Sequence, residues 1–217
     1  CQVHHWKRHK KCCKMLSSSP EMQLRYGKAC MGYKISMIQL KSGECDPALL
    51  YLQESLEIFK EFENDLFISK CYYDNRSVLS SKKQYEEALV NFRKALKICR
   101  EIHGENNVET CGCYEAIGNV LGEQGRYDDA YIGYGKALAI RLELFGENHM
   151  EIGQSYYNID LAQFEKGDYD GVLVSLQKAK AIYTRELGVE HPRTVQRNVC
   201  IDFCQKRMNP SKKNVQL

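Results

Sequence analysis

An all-α array of stacked helical hairpins is the fold class this sequence predicts, and three observations predict it. The first is a period. Tyr85, Tyr127 and Tyr169 stand 42 residues apart, and so do Tyr72, Tyr114 and Tyr156, Lys94, Lys136 and Lys178, Ala95, Ala137 and Ala179, Ile98, Ile140 and Ile182, and Gly104, Gly146 and Gly188. Six families of positions in one register mark a repeat array, in which each copy buries its apolar face against the next. The second is helical spacing within each copy. Ala88, Phe92 and Ala95, then Ala130, Tyr134 and Ala137, then Val172, Leu176 and Ala179 fall at steps of four and three, so each trio shares one helix face and is expected core. The third is a recurring turn, Gly125-Arg126-Tyr127 and Gly167-Asp168-Tyr169, where glycine takes the left-handed conformation that ends a helix at low cost. Lys83-Gln84-Tyr85 occupies the same register without glycine, which predicts a frustrated turn.

Taken in order, Ser17-Ser18-Ser19-Pro20 reads as a turn or linker, because serine competes for backbone hydrogen bonds and proline lacks a donor. A helix follows over about 21–41, with Leu24, Ala29, Tyr33, Met37 and Leu40 at three and four spacings and Gly43 as its stop. A second helix starts near Pro47, whose missing donor is harmless in a first turn, and carries Ala48, Leu52, Ser55 and Leu56. This pair is a divergent first copy. Ala48 and Ile58 precede Ala88 and Ile98 by 40 residues, a two-residue shortening placed near Glu63-Asn64-Asp65, since loops absorb deletions best. The copies span about 22–62, 65–104, 107–146 and 149–188. A cap over 191–206 follows, in which Val195, Val199, Ile201 and Cys204 are available to cover the end of the stack, and 208–217 reads as a disordered tail. Cys200 and Cys204, one turn apart without a further ligand, read as ordinary packing.

Composition narrows the function. The formal net charge of +3 over 217 residues is small, and nucleic-acid binders concentrate a basic face. Positive residues gather at the two ends, as Lys7, Arg8, Lys10, Lys11 and Lys14 and as Lys206, Arg207, Lys212 and Lys213, and read as solvated runs. No apolar run is long enough to span a bilayer, and the basic start lacks the apolar segment of a secretory signal. Eleven cysteines is an odd number, and those from Cys30 to Cys113 fall within helical patterns without framework spacing, which fits reduced thiols. The expectation is a soluble protein of the cytoplasm, with the nucleus as an alternative, and no membrane partner.

The small residues at the helix contact, Gly-x-Tyr in the turn, and Lys94-Ala95-Leu96 and Lys136-Ala137-Leu138 resemble the tetratricopeptide repeat. The inter-repeat segments LFGENHMEI and ELGVEHPRTV, with the 42-residue step, are similar to the kinesin light chain type. The resemblance implies a right-handed superhelix, an α-solenoid of about four hairpins plus a capping helix. It also implies that the first helix of each pair lines a concave groove. Carrying the register across the copies puts Tyr33, Tyr73, Glu115 and Tyr157 at one groove position, Lys34, Asp74, Ala116 and Asn158 at the next, and Met37, Ser77, Asn119 and Leu161 one turn on. Tyrosine offers contact area with few torsions and a hydroxyl, which suits recognition of an extended peptide or a partner helix; Asn119 and Asn158 can hold a ligand backbone. The other reading of Tyr33, Tyr73 and Tyr157 is packing between hairpins, as expected for Tyr72, Tyr114 and Tyr156. The lysine and asparagine clamp of chaperone-tail binders is absent, because Tyr33, Tyr73, Glu115 and Tyr157 fill the lysine position. Lys34, Lys41, Asp74, Glu115 and Glu165 make the lining mixed in sign.

The first residues, CQVHHWKRHKKCC, resemble the closing half of a MYND-type zinc finger through Cys1, Gln2, Trp6, His9 and Cys13. His9 and Cys13 lie at i and i+4, so a helical turn brings imidazole and thiolate to one side, as a tetrahedral zinc site needs. The resemblance implies Cys1 on one zinc and His9 with Cys13 on another, over a remnant of residues 1–14 and a linker of 15–21. Zinc then belongs to a complete finger in a longer parent chain and is held weakly, if at all, by this set. Cys12 is the rival to Cys13 at the cost of the spacing, and a basic helical tail with incidental Cys and His is the alternative.

No nucleophile elbow, phosphate-binding glycine loop or HExxH helix is found, and His149 and His191 read as helix-start residues. The sequence therefore predicts a non-catalytic scaffold that binds a peptide or helix of another protein. The alternative is an accessory module of a larger enzyme such as a SET-type lysine methyltransferase. Nucleic-acid binding through Lys7, Arg8, Lys10 and Lys11 is a third reading, marked by steep salt dependence.

Overall fold

The structure is a computed structural model that describes residues 11–17, 19–74 and 84–208, and every regular element among the described residues is a helix. After a helical segment over 11–17 come α1 (Pro20–Ser42), α2 (Cys45–Glu61), α3 (Asp65–Asp74), α4 (Tyr85–His103), α5 (Val108–Glu123), α6 (Tyr127–Phe145), α7 (Met150–Lys166), α8 (Tyr169–Leu187) and α9 (Pro192–Met208). The expected all-helical fold of successive hairpins is the one observed. None of these helices is long and apolar enough to cross a membrane. Lys83, Ser77, Cys1, His9 and the tail beyond Met208 lie outside the described residues.

The chain divides into two compact units, residues 1–120 and 121–217. In the first, Ser17 and Pro20, expected in a turn or linker, are helical. The helical segment runs through residue 17, Ser19 caps α1 by accepting from the Met22 N–H at 3.2 Å, and Pro20 opens the helix where its missing donor is harmless. The core joins Ala29 of α1, Leu52 and Phe59 of α2, Ile68, Cys71 and Tyr72 of α3, Ala95 and Cys99 of α4, and Cys113 of α5. Phe59 stacks on Phe67 with centroids 4.6 Å apart. Where two residues are missing from the period, Glu63 is left-handed at φ 50, a conformation that disfavours side chains by about 1–2 kcal/mol. The shortened loop is held there by Asn64, whose amide donates to the Tyr26 hydroxyl at 2.8 Å. Lys11 pairs with Glu63 and Cys12 is buried, so the segment over 11–17 docks on this unit.

In the second unit α6, α7, α8 and α9 pack in sequence. Across the chain all three expected trios are buried. Two families of the period explain each other. The Lys94 ammonium lies 5.4 Å from the Tyr72 ring centroid, and Lys178 lies 5.3 Å from that of Tyr156, a cation over an aromatic face. The glycine family ends each second helix at φ 89, 78 and 92 for Gly104, Gly146 and Gly188, where any side chain would be strained. Asn107, His149 and His191 occupy one register position, and their side chains accept from the N–H of Glu109 at 2.8 Å, Glu151 at 3.2 Å and Arg193 at 3.2 Å. The two histidines are helix-start residues, as their place in the inter-repeat turn implied.

The cap differs from expectation on one face. Ile201 and Cys204 are buried, but Thr194 and Arg197 accompany them, while Val195 and Val199 are 43% and 64% exposed. The steps of three and four from Thr194 to Cys204 define the buried stripe, and both valines lie off it.

Candidate functional site

Three first-helix tyrosines share a register position, and each meets a different neighbour. In the first unit Tyr33 is half-buried, its ring edge lies against Phe67 at 5.7 Å, and its hydroxyl donates to Asp74 Oδ2 at 2.6 Å. Burial, and then the carboxylate that accepts its proton, push the phenol well above its ordinary value. Tyr33 and Asp74 are thus one joined feature of α1 and α3. Lys34 beside them is exposed and Met37 is half-buried. Tyr73 turns its ring edge to Phe92 at 6.0 Å and lies 3.7 Å from where a Cβ on Gly112 would stand. That distance is ordinary van der Waals contact, so α5 passes beside the ring with room for a methyl group. Glu115 and Asn119, on α5, are half-buried.

In the second unit Tyr157 is 36% exposed and Leu161, one turn on, is 48% exposed; Asn158 is half-buried between their positions. Beneath Tyr157 stands Arg197 of α9, with its guanidinium carbon 4.6 Å from the ring centroid. Arg197 is 4% exposed and donates from Nη1 to Asp160 Oδ2 at 3.2 Å, while its Nε is buried without a hydrogen-bond partner. Asp160 is also buried. Desolvation raises its carboxyl to about 7, against the opposing pull of the Arg197 charge and hydrogen bond. Arg193, one turn before Arg197, lies over the Tyr183 ring at 5.8 Å. The face therefore combines an exposed aromatic ring and an exposed leucine with a buried ion pair that holds the ring from below.

Sequence reasoning did not single out Asp160 or Arg197. One signal was available: Arg197 stands 42 residues after Ser155, which itself follows Cys113 and Cys71 at the same step, so a guanidinium replaces a small side chain in a core register.

Of the zinc candidates, Cys13 is exposed, and Cys12 is buried, with its thiol raised first by desolvation. Cys1 and His9 lie outside the described residues, among which no three His, Cys, Asp or Glu side chains form a group that could hold a metal ion. A surface cavity of 470 Å³ along α4 is lined by Arg93, Leu96, Lys97, Arg100, Glu101 and Glu105. Its charges are of both signs, with Arg100 and Glu105 paired.

With this geometry in view, the sequence matches the tetratricopeptide repeat family over residues 77–132 and 114–185, together half of the chain. The chain belongs to the tetratricopeptide repeat family. Solved structures show the same fold at low identity. Kinesin light chain TPR-like repeats from Podosopora anserina superpose with a TM-score of 0.74 at 12% identity, covering 87% of this chain and 90% of that one. BtubC (BKLC) from P. vanneervenii gives 0.67 at 16% identity over 97% and 94%. A Rap protein in complex with Competence and Sporulation Factor gives 0.63 at 16% identity, over 94% of this chain and 62% of that one. No curated protein matches the chain by sequence. The tetratricopeptide fold is a scaffold for interaction between proteins, and its first helices carry the residues described above.

Proposed function

We propose that this tetratricopeptide chain is a non-catalytic scaffold that takes a peptide or helical segment of a partner protein along the first-helix face of its hairpins. The observation that carries the reading is Tyr157 on α7, exposed together with Leu161 and held by Arg197. A ring already fixed by its neighbours loses little freedom on binding, and an aromatic beside an aliphatic side chain forms the kind of anchor that dominates interface energies. Asn158 lies between them in sequence to address a ligand backbone. The Rap protein crystallised with a bound factor supports proteins as the partner class, and the helix-capping roles of His149 and His191 support a chain without a catalytic base at those positions.

The test is selection of displayed peptides on the whole chain, followed by titration of a selected peptide against three proteins. These are the wild type, Tyr157→Ala with Leu161→Ala, and Val174→Ser on the exposed side of α8. Loss of about tenfold or more in affinity in the α7 variant alone supports the face. Equal binding by the α7 variant, shown helical by circular dichroism, sinks it.

The zinc reading is part of the proposal. Cys1, His9 and Cys13 would serve as ligands in a complete finger, and the Cys-Gln, Trp and His-x-x-x-Cys spacing supports it. Zinc titration with and without a His9→Ala change tests it. A cytoplasmic setting, with the nucleus as the alternative, is supported by the cysteines from Cys30 to Cys113, which lack framework spacing.

A further inference from the structure

We propose that Cys99 and Cys113 form an oxidisable dithiol that cross-links α4 to α5 when a hydroperoxide reaches it. The Cys113 thiol donates to the Cys99 sulfur across 4.0 Å. Both side chains are buried in the core of the first unit, where Cys71 is a third thiol. A disulfide needs sulfurs about 2 Å apart, so the pair must close by about 2 Å, which small torsional changes in two facing side chains can supply. They stand 14 positions apart in sequence, and one lies on each helix, so the bond would fasten a junction between hairpins.

The two sulfurs have distinct chemical roles. The hydrogen bond from Cys113, with Ser69 also against the sulfur, draws Cys99 toward thiolate in spite of burial. The same bond, and then burial, hold Cys113 protonated. Cys71 receives no such help, and burial pushes it up to about 12. The Cys99 thiolate therefore attacks the peroxide oxygen. A sulfur–oxygen bond forms, the oxygen–oxygen bond breaks, and the departing hydroxide takes a proton to become water. Cys113 then attacks the Cys99 sulfenic sulfur, the sulfur–oxygen bond breaks, and the second hydroxide leaves with the Cys113 proton. Two sulfurs lose two electrons in total, and one hydrogen peroxide becomes two waters.

One repeat on, the same two register positions are also in side-chain contact. Arg141 and Ser155, 42 residues after Cys99 and Cys113, are joined by a hydrogen bond from Arg141 Nη1 to Ser155 Oγ at 2.8 Å. Oxidation would substitute a covalent link for the equivalent contact one repeat earlier. It would pin α5, the helix that also carries Glu115 and Asn119, whatever that face binds.

The experiment treats the full chain with hydrogen peroxide, blocks remaining thiols with N-ethylmaleimide in denaturant, and maps the digest by mass spectrometry. The expected product is a linked peptide pair containing Cys99 and Cys113, lighter by about two hydrogens and restored by dithiothreitol. The oxidised protein should also unfold at higher urea. In Cys113→Ser, first shown helical by circular dichroism, dimedone should label Cys99. Complete alkylation of Cys99 and Cys113 under conditions that oxidise the exposed Cys13 would overturn the proposal, and so would linkage of Cys99 to Cys71.

Discussion

Arg197→Met removes a buried guanidinium and leaves Asp160 alone, and the pH dependence of its cost follows from the structure. Asp160 has its carboxyl raised from 3.8 to about 7 by desolvation. The folded state therefore holds this proton more tightly than the unfolded chain does. The resulting stability is fully present below the unfolded value near 3.8 and is lost as pH rises through about 7. Three pH units at about 1.4 kcal/mol each come to about 4 kcal/mol between those limits in the wild type. Without Arg197 its charge and its hydrogen bond no longer lower this pKa, and only the backbone hydrogen bond at Leu161 still does, so the folded value moves higher and the loss continues above pH 7. Near pH 5.5 Asp160 is protonated in both folded proteins, and the variant loses mainly the packing of Arg197 on Tyr157, about 1 kcal/mol. At pH 8.5 the orphaned acid adds about 2 kcal/mol, bringing the total toward the roughly 3–5 kcal/mol expected for breaking a buried pair. Urea unfolding at pH 5.5, 7 and 8.5, followed by circular dichroism, should show a midpoint shift that widens with pH. Adding Asp160→Asn should remove that widening. A shift of the same size at all three pH values would refute the argument.

Three further outcomes follow from the packing. Gly153→Ala would place a Cβ 2.7 Å from the Tyr183 ring, which is buried, so overpacking should cost about 1–3 kcal/mol; Gly135→Ala on α6 meets nothing within 4 Å and should gain about 0.5–1 kcal/mol from helix propensity, giving melting shifts of opposite sign. Lys178→Gln should cost about 0.5–1 kcal/mol by uncovering the Tyr156 ring, and Lys178→Gln combined with Tyr156→Leu should cost less than the separate losses added, as a double-mutant cycle in urea reads. Tyr33 should remain un-ionised as pH passes the ordinary tyrosine value of 10.0, because burial and Asp74 raise it. Its neutral form is the one the fold favours, so its contribution is intact below that pH and fades only above it. A Tyr33→Phe difference titration of phenolate absorbance checks this, and a Tyr33 signal appearing near pH 10 contradicts it.

The period was legible because it records contacts. Lys94 over Tyr72 and Lys178 over Tyr156 repeat one interaction, and Ala95, Ala137 and Ala179 repeat one close approach, so the same residue types return at the same step. The candidate site was legible only as far as register reaches. Tyr33, Tyr73 and Tyr157 share a position, yet the first meets Asp74, the second Phe92 and the third Arg197. Each neighbour comes from a later element, so a tyrosine's exposure is decided by a residue on another helix. The cap stripe was misjudged for a related reason. Val195 and Val199 look like core by type, but the face of α9 that meets α8 also carries Arg197, whose burial depends on Asp160 reaching it from α7.

The junction between a second helix and the next first helix shows how far the copies have become individual. Cys99 with Cys113 and Arg141 with Ser155 occupy the same two register positions, yet one pair joins thiols and the other joins a guanidinium to a hydroxyl. Arg141 has a further partner in Glu151 at 3.6 Å, and the residue 42 positions before Glu151 is Glu109, whose charge already acts on Cys99. The earlier junction thus holds the acidic third of the later one. Cys99→Arg alone would press a large cation against the Cys113 thiol and should cost about 2–4 kcal/mol through overpacking and desolvation. Cys99→Arg with Cys113→Ser supplies the hydroxyl acceptor and regains the Arg–Ser–Glu arrangement, so it should recover about 1–3 kcal/mol relative to the summed single changes. Urea midpoints of the two single variants and the double variant measure that coupling. If the costs simply add, the shared register does not carry shared geometry, and the two junctions differ in backbone as well as in side chains.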